Sequence, residues 1–156
     1  MQYLTRSEAD TMAFAARLSG MLAPGDTVLL RGDLGAGKSV LARGIARGMG
    51  VEGAMPSPTF TLMIPYVGAQ GRRLYHFDLY RLADPDEYYA AGLDEFVGGD
   101  GVAVAEWPEM AELDPSPALE IRIRRGAGEE ERVLEIENRG VAGYDPAALS
   151  DWEAEA

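Results

Sequence analysis

The residues of this chain with the clearest chemical potential form a glycine-rich loop that carries its only lysine. Thirteen of the fourteen basic residues are arginine, and the single lysine lies in the segment Gly32-Asp33-Leu34-Gly35-Ala36-Gly37-Lys38-Ser39. This segment matches the G-x-x-x-x-G-K-[ST] pattern of a phosphate-binding loop. A slim lysine ammonium suits a loop wrapped around phosphates, whereas the broad guanidinium of arginine does not. The sequence therefore predicts a phosphate site at residues 32–39.

The segments on either side of the loop follow the order that such a site needs. Residues 26–31 predict a buried strand, and residues 40–49 repeat apolar side chains at helical spacing and predict a helix. In this order the loop N–H groups and the positive end of the helix face the phosphates. Lys38 would reach the β and γ groups, and the Ser39 hydroxyl would face Mg²⁺. The residues expected to contact the nucleotide are consecutive: Asp33, Leu34, Gly35, Ala36, Gly37, Lys38, Ser39 and Val40.

The composition limits the class of protein. The chain has 156 residues, 47% of them hydrophobic, with no cysteine and one histidine. We expect a single domain over residues 1–156, with 150–156 as a frayed tail, and no membrane span, signal segment or disulfide. The cytoplasm is then the default location. A multi-histidine metal site is excluded, and so is the N-K-x-D element with which GTPases read guanine, because the only lysine lies in the loop.

The net charge of −12 is distributed unevenly. Residues 1–83 carry nine cations and six acids, and residues 84–156 carry five cations and twenty acids. A chain this acidic repels a phosphate backbone, so we expect no direct extended contact with nucleic acid. The acidic half is interpreted as a solvated face, with a surface for a basic partner protein left open.

The remaining segments predict an α/β fold. The expected elements are a helix from Ser7 to before Pro24 that precedes the first strand, a hairpin of 59–66 and 72–80, a helix from Asp84 through Phe96, a buried strand at 101–105, and a hairpin of 119–124 and 132–137. We therefore predict a three-layer P-loop NTPase-like fold with a mixed parallel and antiparallel sheet.

Two acids follow predicted buried strands, where open α/β folds bind their ligands. Glu106 follows 102–105, and Asp78 follows 74–77. We expect Glu106 to hold the metal and Asp78 to orient the attacking water or the metal shell, although both are also compatible with plain exposed strand ends. His76 shares a strand face with Asp78 and is interpreted as a packing residue, with tuning of Asp78 left open.

Four segments together resemble the bacterial TsaE (YjeE) family. They are residues 32–39, residues 57–61 (Ser-Pro-Thr-Phe-Thr), residues 76–81 (His-Phe-Asp-Leu-Tyr-Arg) and residues 106–108 (Glu-Trp-Pro). The resemblance extends from about residue 7 to the final hairpin. It implies a small ATPase that uses ATP and Mg²⁺ and works with the threonylcarbamoyl-transferase subunit (TsaD) and its inactive paralogue (TsaB). That complex modifies adenosine 37 of tRNAs that read ANN codons.

The resemblance also implies roles for individual residues. Ser39 and Glu106 would ligate Mg²⁺, residues 57–59 and the region of Asp78 would act as switches, and Trp107 would lie near the nucleotide. Thr11 and Arg132 resemble nucleotide-contacting positions more loosely. Lys38, Asp78 and Glu106 form the expected catalytic set.

Two other functions use the same loop. A small-molecule kinase would transfer the γ-phosphoryl group to a bound hydroxyl, but it needs an acceptor pocket and a lid for which little chain remains. A nucleotide-gated binding module would use ATP binding alone to switch its loops. The sequence leaves both open beside the ATPase.

Overall fold

The computed structural model describes residues 1–58 and 61–154, and a seven-stranded sheet forms its centre. The strands are β1 (Gln2–Thr5), β2 (Thr27–Arg31), β3 (Met63–Val67), β4 (Arg73–Asp78), β5 (Val102–Glu106), β6 (Ala118–Arg125) and β7 (Arg132–Arg139). The α-helices are α1 (Glu8–Ser19), α2 (Lys38–Gly48) and α3 (Pro85–Ala90). No helix among the described residues is long and apolar enough to cross a membrane.

The sheet is mixed, as the sequence predicts. Its order is β1-β7-β6-β2-β5-β4-β3. β2 runs parallel to both of its neighbours, β5 and β6, and β4 runs parallel to β5. The pairs β3-β4, β6-β7 and β1-β7 are antiparallel. The carboxyl ends of β2, β4 and β5 therefore meet at one edge of the sheet, which is where ligands bind in open α/β folds.

Apolar cores cover the two faces of this sheet. Val28 and Leu30 of β2 belong to the core formed with α1 and α2, whereas Leu29 belongs to the core formed with α3. This division follows from the alternation of side chains along a strand. The helices thus lie on both sides of the sheet and hold its central strands in place.

Two elements differ from the sequence predictions in the first and middle parts of the chain. β1 precedes α1, where we expected a helix first; it has four residues and pairs with β7 more than 120 residues later, a contact that no local pattern signals. The helix expected from Asp84 through Phe96 is broken, because Gly92 adopts a φ of 72° and a 3-10 turn follows at Leu93–Phe96.

The end of the chain also differs from the frayed tail that the sequence predicts. A 3-10 helix spans Pro146–Trp152, and the Trp152 ring packs edge-on against Phe14 with the centroids 5.4 Å apart. The indole N–H of Trp152 donates to the Asp10 carboxylate at 2.8 Å. An aromatic anchor therefore ties the described part of the tail, which ends at residue 154, to α1.

Candidate functional site

The predicted phosphate-binding loop connects β2 to α2 at the ligand-binding edge of the sheet. β2 ends at Arg31, and α2 begins at Lys38 after a turn in which Gly37 adopts a φ of 109°. A residue with a Cβ would be strained in this conformation. Because the N-cap residue Gly37 has no side chain, it supplies no side-chain cap to α2, which suits the first N–H groups of the helix to bind an anion. The loop therefore has the local geometry of an anion site at a helix N-terminus.

Lys38 is held inside the loop. Its Nζ atom donates to the carbonyl oxygens of Gly32 at 2.5 Å and Asp33 at 2.8 Å, and it lies 4.1 Å from the centroid of the Trp107 ring. Burial lowers the pKa of this ammonium below its ordinary value of 10.5, and the carboxylate of Glu106 opposes that change. A buried ammonium whose hydrogen bonds go to neutral carbonyl oxygens is poised to exchange them for charged phosphate oxygens.

Each carboxylate oxygen of Glu106, at the end of β5, has a side-chain hydrogen-bond partner. The Ser39 hydroxyl donates to its Oε1 at 2.9 Å, and Nε2 of His76 lies within hydrogen-bond distance of its Oε2, at 2.7 Å. Only 3% of Glu106 and 7% of His76 is exposed. The sequence favoured a packing role for His76 and left tuning of Asp78 open. The signal that this interpretation missed is the parallel pairing of β4 with β5, which brings the side chains of His76 and Glu106 together.

Asp78 lies beside Glu106 in the β4-β5 register. Its Oδ1 accepts the N–H of Tyr80 at 3.1 Å. Burial raises the pKa of the Asp78 carboxyl above its ordinary value of 3.8, the Tyr80 hydrogen bond lowers it, and the charge of Glu106 adds to the rise. A carboxylate with a raised pKa at the mouth of a cleft is suited to accept a proton from water.

Trp107 forms a wall of the site. It adopts a left-handed backbone conformation with a φ of 57°, which is uncommon for a bulky residue. Its ring packs against that of Tyr80 at an interplanar angle of 44°, with the centroids 4.8 Å apart. Trp107 therefore lies over the ammonium of Lys38, and Tyr80 supports the Trp107 ring.

These residues line a cleft of about 570 Å³. Its lining consists of Glu8, Leu34, Gly35, Gly37, Lys38, Ser39, Val40, Ser57, Asp78, Tyr80, Arg81, Glu106, Trp107 and Arg132. Most of the predicted site residues are thus brought together. Glu8 was not expected in the lining, whereas Tyr80 and Arg81 belong to residues 76–81, which carry the family resemblance. The predicted switch residue Thr59 lies outside the described residues.

Three predicted contact residues lie apart from the lining of the cleft. Asp33 and Ala36 take part in the site through their backbone. The carbonyl oxygen of Asp33 accepts a hydrogen bond from Lys38, and that of Ala36 accepts one from Nε of Arg132 at 2.7 Å. Thr11 lines a small adjoining cavity, and its hydroxyl is already paired with Thr5 at 2.6 Å. Arg132 borders both cavities and braces the loop.

The oxygen donors of the cleft fit Mg²⁺. The described residues contain no group of three or more His, Cys, Asp or Glu side chains arranged around one point. The adjacent Ser39 hydroxyl and Glu106 carboxylate are the oxygen ligands that the site can provide for the ion. Mg²⁺ characteristically keeps several waters and takes one or two protein oxygens together with phosphate oxygens. The pair therefore suits an ion that arrives with a nucleotide, and does not suit one held by protein alone.

Comparison with known proteins agrees with the resemblance seen in the sequence. The profile of the family described as "Threonylcarbamoyl adenosine biosynthesis protein TsaE" matches residues 5–134. The chain belongs to the TsaE family. The tRNA threonylcarbamoyladenosine biosynthesis protein TsaE of Bacillus subtilis is 39% identical to this TsaE-family protein over 135 residues, which cover 86% of this chain and 83% of the relative. The protein of the same name from Treponema pallidum is 40% identical over 125 residues, which cover 80% and 91%.

The fold of this TsaE-family protein is shared with a solved structure. The crystal structure of YdiB from Bacillus subtilis superposes with a TM-score of 0.75 and 32% sequence identity, covering 97% of this chain and 92% of that chain. The α/β fold with a seven-stranded mixed sheet is therefore confirmed.

Proposed function

We propose that this protein is a P-loop ATPase that binds and hydrolyses Mg²⁺-ATP in the cleft over residues 32–39 and thereby supports the tRNA threonylcarbamoyladenosine modification (t6A37). The observation that carries the proposal is the contact of the Ser39 hydroxyl with Glu106, next to Lys38 at the start of α2. A hydroxyl, a carboxylate and an ammonium arranged around a helix N-terminus match the needs of a nucleotide triphosphate and its cation. Family membership supports the same pathway.

Each residue has a distinct part in the proposed reaction. The first N–H groups of α2 would hold the phosphates, and Lys38 would exchange the carbonyl oxygens of Gly32 and Asp33 for phosphate oxygens. Ser39 and Glu106 would hold Mg²⁺, which would neutralise charge on the transferring phosphoryl group. Asp78 would orient the attacking water and accept its proton, because burial favours its protonated form.

The charge of the chain supports action through protein partners. With a net charge of −12, the protein would repel tRNA, so we propose that it acts on the TsaD subunit and its paralogue TsaB and leaves RNA binding to them.

The decisive experiment is ATP hydrolysis measured for the protein alone and with both subunits. We expect slow release of phosphate alone and a strong rise with the pair, and no rise for Lys38→Met. Hydrolysis by the wild type that is unaffected by the subunits would contradict the partnered role, and absence of nucleotide binding would contradict the whole proposal.

One observation favours a nucleotide-gated module as the second candidate. The Trp107 ring covers Lys38 and packs against Tyr80, so phosphate binding next to Lys38 would disturb this aromatic pair in the lining of the cleft. In that case a non-hydrolysable ATP analogue would support tRNA modification over many turnovers as well as ATP does, whereas an ATPase requirement predicts that the analogue stalls the complex.

A further inference from the structure

We propose that His76 is a positioning residue for the cation site: its imidazole holds the Glu106 carboxylate against Ser39 and so sets the affinity for the divalent ion. The inference rests on the proposed function, because it concerns the same site. It assigns a role to the single histidine of the chain, which the mechanism above does not use.

The imidazole and the serine hydroxyl contact different oxygens of the Glu106 carboxylate. Nε2 of His76 lies 2.7 Å from Oε2 of Glu106, and Ser39 Oγ lies 2.9 Å from Oε1. An ionised carboxylate only accepts hydrogen bonds, so Nε2 must carry the hydrogen. Both residues are more than nine-tenths buried, and a buried charge is tolerated only where hydrogen bonds compensate for lost water. His76 supplies that compensation at Oε2, the oxygen that Ser39 does not contact.

The second hydrogen bond has a consequence for Ser39. With one donor, a carboxylate is free to turn about that contact, but with donors on both oxygens its plane is fixed. The serine hydroxyl has one hydrogen, which it gives to Glu106, so its lone pairs point away from Glu106 and remain available to a cation. By fixing Glu106, His76 therefore also orients Ser39. Partners that orient metal ligands in this way typically change metal affinity by about 10-fold to 100-fold when they are removed.

A packing role makes a different prediction. In the sheet His76 is paired with Ile64 of β3 and Val104 of β5, and an aromatic hydrocarbon would pack between such neighbours as well as an imidazole does. His76→Phe keeps a ring but removes the donor. His76→Gln removes the ring but keeps an N–H group that reaches Glu106. The two variants therefore separate packing from hydrogen bonding.

The test measures cation binding directly, with Mn²⁺ as the probe and its paramagnetic resonance signal as the readout, in the presence of ADP. We expect His76→Phe to weaken Mn²⁺ binding by about 10-fold to 100-fold, and His76→Gln to restore most of the affinity. Binding of ADP in EDTA should be the same for the wild type and both variants. Wild-type Mn²⁺ affinity in His76→Phe, or equal weakening in both variants, overturns the inference.

The wild-type measurement separates this inference from the proposed function. If the wild type binds neither ADP nor Mn²⁺ with ADP, the proposed function fails and this inference with it. If the wild type binds both and His76→Phe binds Mn²⁺ with the same affinity as the wild type, only the role of His76 fails.

A second readout uses the fact that there is one histidine. In protein labelled with ¹⁵N-histidine, nuclear magnetic resonance shows a single imidazole, so no assignment is needed. We expect a proton on Nε2 of the wild type, and a change in both nitrogen shifts in Glu106→Ala. An unprotonated Nε2 in the wild type contradicts the hydrogen bond to Glu106 and overturns the inference.

Discussion

Replacing Lys38 with methionine separates two effects of its buried ammonium group. Methionine is close to lysine in length but has no charge and no donor. The ammonium is buried among its own loop carbonyls and against an aromatic ring, and burial lowers its pKa. The folded protein without nucleotide therefore disfavours the charge that nucleotide binding needs. We expect Lys38→Met to lose affinity for ATP without losing stability.

The expected loss of affinity follows from the bonds to phosphate. A hydrogen bond to a charged group contributes about 1.5–3 kcal/mol, so the dissociation constant for ATP should rise by about 10-fold to 150-fold for one such bond. Binding of a fluorescent ATP analogue measures this change. Arg43→Met removes one cation from the same helix, and Arg43 is outside the lining of the cleft, so this control should bind the analogue like the wild type.

The stability of the same variant has a defined pH dependence. The pKa of Lys38 in the folded protein lies below the ordinary 10.5. Between these two pKa values the unfolded chain binds more protons than the folded protein, so the stability of the wild type rises with pH in that interval. Without nucleotide, Lys38→Met should unfold at the same temperature as the wild type or higher at pH 7, and the difference should shrink as the pH approaches 10.5. Unchanged ATP affinity, or a large fall in unfolding temperature, would refute this reasoning.

Three further substitutions test other parts of the molecule. Asp78→Asn should raise the unfolding temperature without nucleotide at pH 7, because the raised pKa of Asp78 makes its ionised form costly in the folded protein. This gain should disappear as the pH falls to 3.8, below which the carboxyl is protonated in both states. The same variant should lower ATP turnover. Glu106→Gln should abolish the stimulation of ATP binding by Mg²⁺ but leave binding in EDTA unchanged, which calorimetry measures. In Gly48→Ala the new Cβ would lie 2.7 Å from Cα of Ala16 in α1, so we expect a loss of about 1–3 kcal/mol and a fall of about 2–12 °C in unfolding temperature. Gly20→Ala, whose nearest contact is 3.6 Å, is the control and should cause no such fall.

Local patterns predicted the parts of the site that are close in sequence. About 25 residues contain the glycine loop, the strand before it and the helix after it. The backbone conformations of this segment require particular residue types, such as glycine at position 37. The strand that ends at Glu106 is buried on both faces and reads as a continuous apolar run. The two hairpins were likewise visible from β-prone runs around short turns.

The parts that the sequence did not predict depend on distant contacts. The pairing of β1 with β7, the anchoring of Trp152 on Phe14 and the bond of His76 to Glu106 join residues that are 30 to more than 120 positions apart. Single side chains carry no sign of such partners, so His76 reads as an ordinary core residue until the order of β4 and β5 in the sheet is known.

The most direct test of the central claim is the unfolding temperature of the wild type with and without Mg²⁺-ATP. At a ligand concentration 100 times the dissociation constant, binding to the folded state adds about 2.7 kcal/mol, which corresponds to a rise of about 5–11 °C for a chain of this size. We predict that rise for the wild type and for Arg43→Met, and a much smaller one for Lys38→Met. No rise at millimolar Mg²⁺-ATP, or an equal rise in Lys38→Met, would contradict a nucleotide site built around Lys38.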